Sequence, residues 1–135
     1  MAYKISDIEG IGPVYTEKLG TVDIKTVEEL LEVGASKKGR KELAEKTDID
    51  ESRILRWVNM ADLFRIKGVA EELSDLLEAA GVDTVKELAT RNATNLHAKL
   101  IEVNDAKGLS GRVPSLSQVE GFIDFAKELE PKVTH

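Results

Sequence analysis

Two short stretches combine residue types and spacing that could do chemistry, and in both the chemistry is the binding of an anion. In Ile8-Glu9-Gly10-Ile11-Gly12-Pro13, two glycines flank an apolar residue and a proline follows. Glycine lets the main chain turn tightly. A helix beginning at Pro13 would leave N–H groups unpaired at its positive end, where a phosphate oxygen is favoured. Ile11 would plug the core beneath the turn. In Ser36-Lys37-Lys38-Gly39-Arg40-Lys41, basic residues crowd the first turns of an expected helix. Cations there oppose the helix dipole, a small penalty that a bound anion would offset, and the Ser36 hydroxyl could join the same anion. The plain alternative is a solvated helix end whose cations pair with Glu42 and Glu45.

A second turn, Ile66-Lys67-Gly68-Val69-Ala70, keeps the first glycine but carries Ala70 in place of the second. Glu71 and Glu72 follow, and their carboxylates compete with phosphate. Lys67 and Gly68 are therefore the weaker candidate contacts. Arg53, Arg56 and Arg65 lie on the segment leading into this turn, where they either extend a basic surface or pair with Asp50, Glu51 and Asp62.

Other chemistry has few residues to work with. The absence of cysteine removes disulfides and thiolate sites, and His97 and His135 are too few for a zinc centre. Glu28, Glu29 and Glu32, like Glu71, Glu72 and Asp75, read as solvated helix faces, since a catalytic pair needs a pocket and shifted pKa values. His97 reads as structural or exposed. Trp57 falls on an apolar stripe and reads as core, and aromatic residues at 4% are too sparse for a base-stacking groove. No enzymatic activity and no cofactor are expected.

The elements that must hold these residues come from an internal repeat. Sliding the chain by 58 positions lays Ile8 through Leu31 on Ile66 through Ala89 without a gap, with Gly10 on Gly68, Leu19 on Leu77, Thr26 on Thr84 and Glu29 on Glu87. After an insertion around 104–111 that reads as a loop, the offset becomes 65, and Ile54, Trp57, Val58 and Ala61 fall on Val119, Phe122, Ile123 and Ala126. Both sets are helical stripes facing a core. Each copy is expected to form four helices, over 13–20, 26–33, 36–47 and 50–65, then 70–80, 84–91, 94–104 and 115–130. No segment reads as a strand. Thr26, Ser36, Thr84, Thr94 and Ser115 are the expected N-caps, Ser115 with Gln118 forming a capping box, while Gly34 and Gly81 are expected to end helices at positive φ.

The first turn and its following helix, Gly10-Ile11-Gly12 with Leu19 downstream, resemble the helix-hairpin-helix pattern. Repeated in register over roughly residues 5 to 130, the arrangement is similar to an uncharacterised prokaryotic family of tandem helix-hairpin-helix proteins, catalogued as a domain of unknown function. Thr16 and Ser74 depart from the small residue usual in the following helix, and little chain precedes the first turn to form a leading helix. The resemblance implies an all-α fold of two degenerate four-helix repeats, about eight short helices, divided as 1–65 and 66–135, either as two units or packed as one compact domain. It implies little about function, because the wider superfamily holds repair and replication modules beside copies used only for packing or protein contact.

Charge narrows the partner. Net charge is −6 and the pI about 5.0, which repels a polyanion at long range, so any contact with nucleic acid must be local. Residues 8–65 hold 10 basic and 12 acidic side chains against 8 and 12 in 66–135, which favours the first half as the binder. Apolar runs are too short for a membrane span, and the first residues have no signal or transit character, so a cytoplasmic protein is expected. The expected function is non-catalytic, sequence-independent contact with a DNA or RNA backbone through Gly10, Ile11, Gly12, Ser36, Lys37, Lys38, Arg40, Lys41, Lys67 and Gly68. The alternative is a protein-interaction or scaffold module with an acidic surface. Oligomeric state leaves no mark in the sequence.

Overall fold

A computed structural model describes residues 3–69 and 71–134. The described residues form one short 3₁₀ turn, Ile5–Asp7, and eight α-helices: α1 Pro13–Gly20, α2 Val27–Gly34, α3 Lys37–Thr47, α4 Glu51–Leu63, α5 Glu71–Ala79, α6 Val85–Ala89, α7 Ala93–Lys107 and α8 Leu116–Glu128. The only strand-like pairing among them is a single antiparallel bridge between Lys4 and Thr26. None of the helices is long and apolar enough to cross a membrane.

Local chemistry sets the helix starts. Pro13 opens α1 behind an extended Gly12, because its fixed φ suits the first turn and its missing N–H would have had no partner there. Thr26 and Glu29 cap α2 reciprocally, Ser36 accepts from the Gly39 amide at the head of α3, Thr84 accepts from Glu87, and Ser115 and Gln118 box α8. Thr94 does not cap α7. Asn92 takes that role through the Asn95 amide, and Thr94 lies inside the first turn. The insertion is only partly loop: with no breaker before Gly108, α7 runs on to Lys107, and Asn104 then brackets the turn by bonding both the carbonyl and the amide of Ser110.

Gly34 corrects another expectation. It ends α2 without positive φ, and Ala35 after it is right-handed. Its lack of a side chain is needed instead for packing, since a Cβ there would lie 2.4 Å from Val58 Cγ2 on α4. Gly81 does adopt φ +95°.

The chain divides into two compact units: residues up to Asp62 together with Lys132 onward, and Leu63–Pro131. In the first, Ile8, Leu19, Leu30, Ile54 and Trp57 are fully buried, and α2 packs on α3. In the second, α6 and α7 pack on α8, and α5 on α7, around Ile66, Val69, Leu77, Leu88, Leu100 and Ile123. The last residues belong to the first unit because Val133 is buried and Thr134 donates its amide to the Ala35 carbonyl at 2.9 Å.

The two units share main-chain geometry. Ile11 N–H donates to Ile8 at 3.1 Å and Val69 N–H to Ile66 at 3.0 Å, while Ile24 donates to Leu19 at 3.0 Å and Val82 to Leu77 at 2.9 Å. Gly10 and Gly68 hold φ of +95° and +94°. A Cβ on Gly10 would meet Trp57 Nε1 at 3.3 Å, and one on Gly68 would meet Phe122 Cε1 at the same distance.

Candidate anion-binding surface

The glycine turn of the first unit presents main-chain donors outward. Gly10 and Gly12 are exposed, and a Cβ on Gly12 would find nothing within 4 Å. Among the described residues no protein acceptor serves the amides of Gly10, Gly12, Val14 or Tyr15; the first amide of α1 to find one is that of Thr16, on the Gly12 carbonyl at 2.9 Å. Ile11 stands apart. Its side chain is buried as the plug beneath the turn, and its N–H is already taken by Ile8, so it supports the surface without touching a ligand.

α4 brings a cation to this turn. The Arg53 guanidinium lies 5.2 Å from the ring centroid of Tyr15, the third residue of α1, and Tyr15 meets Trp57 edge to face with centroids 5.0 Å apart. A cation over an aromatic face is attracted by the ring quadrupole, which holds Arg53 beside the free amides. Gly10, Asp50, Ser52, Arg53, Arg56 and Trp57 line a cleft of about 270 Å³ there. Asp50 is a like charge for any anion, and its Oδ2 accepts from the Ser52 hydroxyl at 2.9 Å.

The basic run on α3 is not one surface. Arg40 is buried, and its guanidinium is committed to the protein's own carbonyls: Nη1 donates to Gly34 at 2.9 Å and Ala35 at 3.0 Å, and Nη2 donates to Thr134 at 2.5 Å. It closes the carbonyl end of α2 and fastens the C-terminal segment, and so is withdrawn from the candidate contacts. Burial pushes its pKa down, opposed by the nearby Glu51 carboxylate. Ser36 keeps its hydroxyl hydrogen but accepts from Gly39 at 3.0 Å. Gly39 is obligatory, since a Cβ would fall 2.0 Å from the Val33 carbonyl oxygen.

Lys37, Lys38 and Lys41 remain exposed, and none of them forms an ion pair among the described residues, with Glu42, Glu45 or any other carboxylate. Lys37 lines a second cleft, about 370 Å³, with Arg40, Glu51, Ser52 and Leu55. Ser52 borders both clefts, so the glycine-turn side and the Lys37 side adjoin along α4.

The second unit offers less. Lys67 and Gly68 are exposed, the Val69 amide is taken by Ile66, and Ala70 lies outside the described residues. Arg65 donates to the Glu130 carbonyl at 2.7 Å. The Arg53–Tyr15–Trp57 contact was not foreseen from the residues, although the aligned repeat, with Tyr15 and Trp57 at the positions of Leu73 and Phe122, held the available signal. The Arg40–Thr134 bond had none, because 94 residues separate its ends.

These features define an all-α chain of short capped helices whose first unit carries an exposed glycine turn flanked by cations. The chain belongs to the family described as Domain of unknown function (DUF4332), whose model matches residues 9–129. No curated protein and no solved structure matches it.

Proposed function

We propose that the protein is a non-catalytic binding module that contacts the backbone of DNA or RNA weakly and without sequence specificity, its glycine turn acting as a helix-hairpin-helix element. The observation that carries this reading is the row of amides at Gly12, Val14 and Tyr15, which have no protein acceptor at the open positive end of α1. Such a helix end favours an oxyanion through both its donors and its dipole. Lys37, Lys38, Lys41 and Arg53 supply the local positive charge that an anionic chain otherwise lacks. Lys67 and Gly68 are a minor second contact.

With two to four phosphates engaged, Kd is on the order of 10⁻⁴ to 10⁻⁶ M at physiological salt, and log K falls against log salt with a slope of about −2 to −4. Titration of a fluorescent duplex at low salt is expected to detect binding that disappears when Lys37, Lys38 and Lys41 are together changed to Glu. Undetectable binding at about 20 mM salt, where attraction is least screened, removes the proposal.

A protein partner is the second reading, favoured by Val14, which is 65% exposed at the tip of the same turn. An apolar side chain there suits a protein surface. Mass measurement by size exclusion with and without nuclease separates the two, since an assembly that survives nuclease belongs to this reading alone.

A further inference from the structure

We propose that the cleft beside Gly10 is a discrete oxyanion pocket that seats one phosphate group against the Trp57 indole N–H and the Arg53 guanidinium. The proposal rests on the backbone-binding reading only for the source of that phosphate.

Trp57 is 1% exposed, yet its indole N–H has no acceptor among the described residues. A buried indole N–H normally finds a partner. Among the described residues the one side-chain polar atom sealed from solvent without a partner is Asn59 Oδ1, so the Trp57 N–H, beside Gly10 in the cleft that both residues line, is not sealed. Gly10 keeps that opening clear, since a Cβ would approach Nε1 to 3.3 Å. A donor held at the floor of a cleft, with no protein group to receive it, calls for an acceptor from outside.

Arg53 supplies charge at the same place. It is stacked on Tyr15 and forms no ion pair among the described residues, so its planar donor fork is held in position and available to two oxygens of one phosphate. Arg56 also lines the cleft but is engaged within the protein, and nothing rests on it. Asp50 opposes an anion and sets an upper bound on affinity.

The second unit supplies an internal control. Gly68 has the same φ and the same distance from its aromatic partner, but that partner is Phe122, which has no N–H. At the repeat offsets Arg53 corresponds to Gln118 and Tyr15 to Leu73. Packing a ring against the glycine turn therefore requires neither the indole donor nor the stacked guanidinium, and the first unit has both.

Trp57 is the only tryptophan, so its emission reports the cleft directly. The full chain is titrated with inorganic phosphate, with sodium chloride at matched ionic strength as control, and then with a duplex oligonucleotide. A saturable emission change with phosphate and none with chloride is expected, accompanied by shifts of the Gly10 and Gly12 amides in NMR spectra. Arg53→Gln should weaken phosphate binding roughly tenfold, and Asp50→Asn should strengthen it. Trp57→Phe, which installs the residue of the second unit, should keep the helical circular dichroism and weaken binding as read from the amide shifts.

Equal responses to chloride and phosphate, or midpoints unmoved by Arg53→Gln and Asp50→Asn, overturn the pocket. Oligonucleotide binding without a phosphate response overturns the pocket and leaves the backbone reading standing. An Arg53-dependent phosphate response without oligonucleotide binding supports the pocket, for free phosphate or monoesters, and overturns the backbone reading.

Discussion

Arg40 shows how a single residue of the right type can serve a different purpose from its neighbours. Its guanidinium donates to three carbonyls, those of Gly34, Ala35 and Thr134, the second of which also takes the Thr134 amide. Arg40→Ala is expected to destabilise the protein by about 1 to 3 kcal/mol in urea unfolding, because the buried Gly34 carbonyl loses its donor and the tie to Thr134 is cut. Arg40→Lys should recover little, since an ammonium lacks the planar fork that reaches all three. Nothing in the spacing of Lys37, Lys38, Arg40 and Lys41 distinguishes the one that turns inward; the distinction comes from carbonyls at the end of α2 and from a segment far along the chain. Ile11 was legible as a plug for the opposite reason, as an apolar residue between glycines has only one side to face.

At the level of elements, sequence was a good guide wherever the signal was local. The start of α1 follows from Pro13 behind Gly12, and the Ser115–Gln118 box and the Thr26 and Thr84 caps follow from hydroxyls placed ahead of apolar periods. It misled where two local signals competed: Asn92 displaced Thr94 as the α7 cap, and the glycine of α2 answered to Val58 on another helix rather than to its own φ.

The α2 cap gives a testable pH dependence. The Glu29 carboxylate accepts from the Lys25 amide, the Thr26 hydroxyl and the Thr26 amide, and these bonds hold its pKa below the ordinary glutamate value. A carboxyl lowered in the folded state stabilises it at pH above the unfolded value, near 4.3, and loses that contribution as pH falls through the folded value. Wild type should therefore exceed Glu29→Gln in stability at neutral pH, with the gap closing below about pH 4 in thermal melts across pH. Thr26→Ala should cost about 1 kcal/mol.

For the molecule as a whole, the two units repeat the same turn but not the same donors. The first has an indole N–H and a stacked guanidinium beside its glycine turn and unpaired lysines on α3; at the corresponding repeat positions the second has Phe122 and Gln118, with Lys67 exposed in its turn. Lys67→Glu is accordingly expected to leave duplex binding detectable at low salt and to reduce the salt slope by no more than about 1, one phosphate contact's share, against complete loss in the Lys37, Lys38 and Lys41 variant. Equal losses from both would place the contact surface on both units. The repeat itself was readable as an offset in the sequence; which copy retained the donors was readable only as a bias in charge, because the decisive contacts join α1 to α4 across some forty residues.

The fastening of Thr134 to Ala35 and Arg40 has a practical side. Whatever is fused behind that residue emerges beside the lysine-bearing helix, so a carboxy-terminal affinity tag would crowd the surface whose binding is to be measured, and a polyhistidine tail would bring its own charge there. Labels are better attached at Gly111, where the backbone is exposed and a side chain would touch nothing.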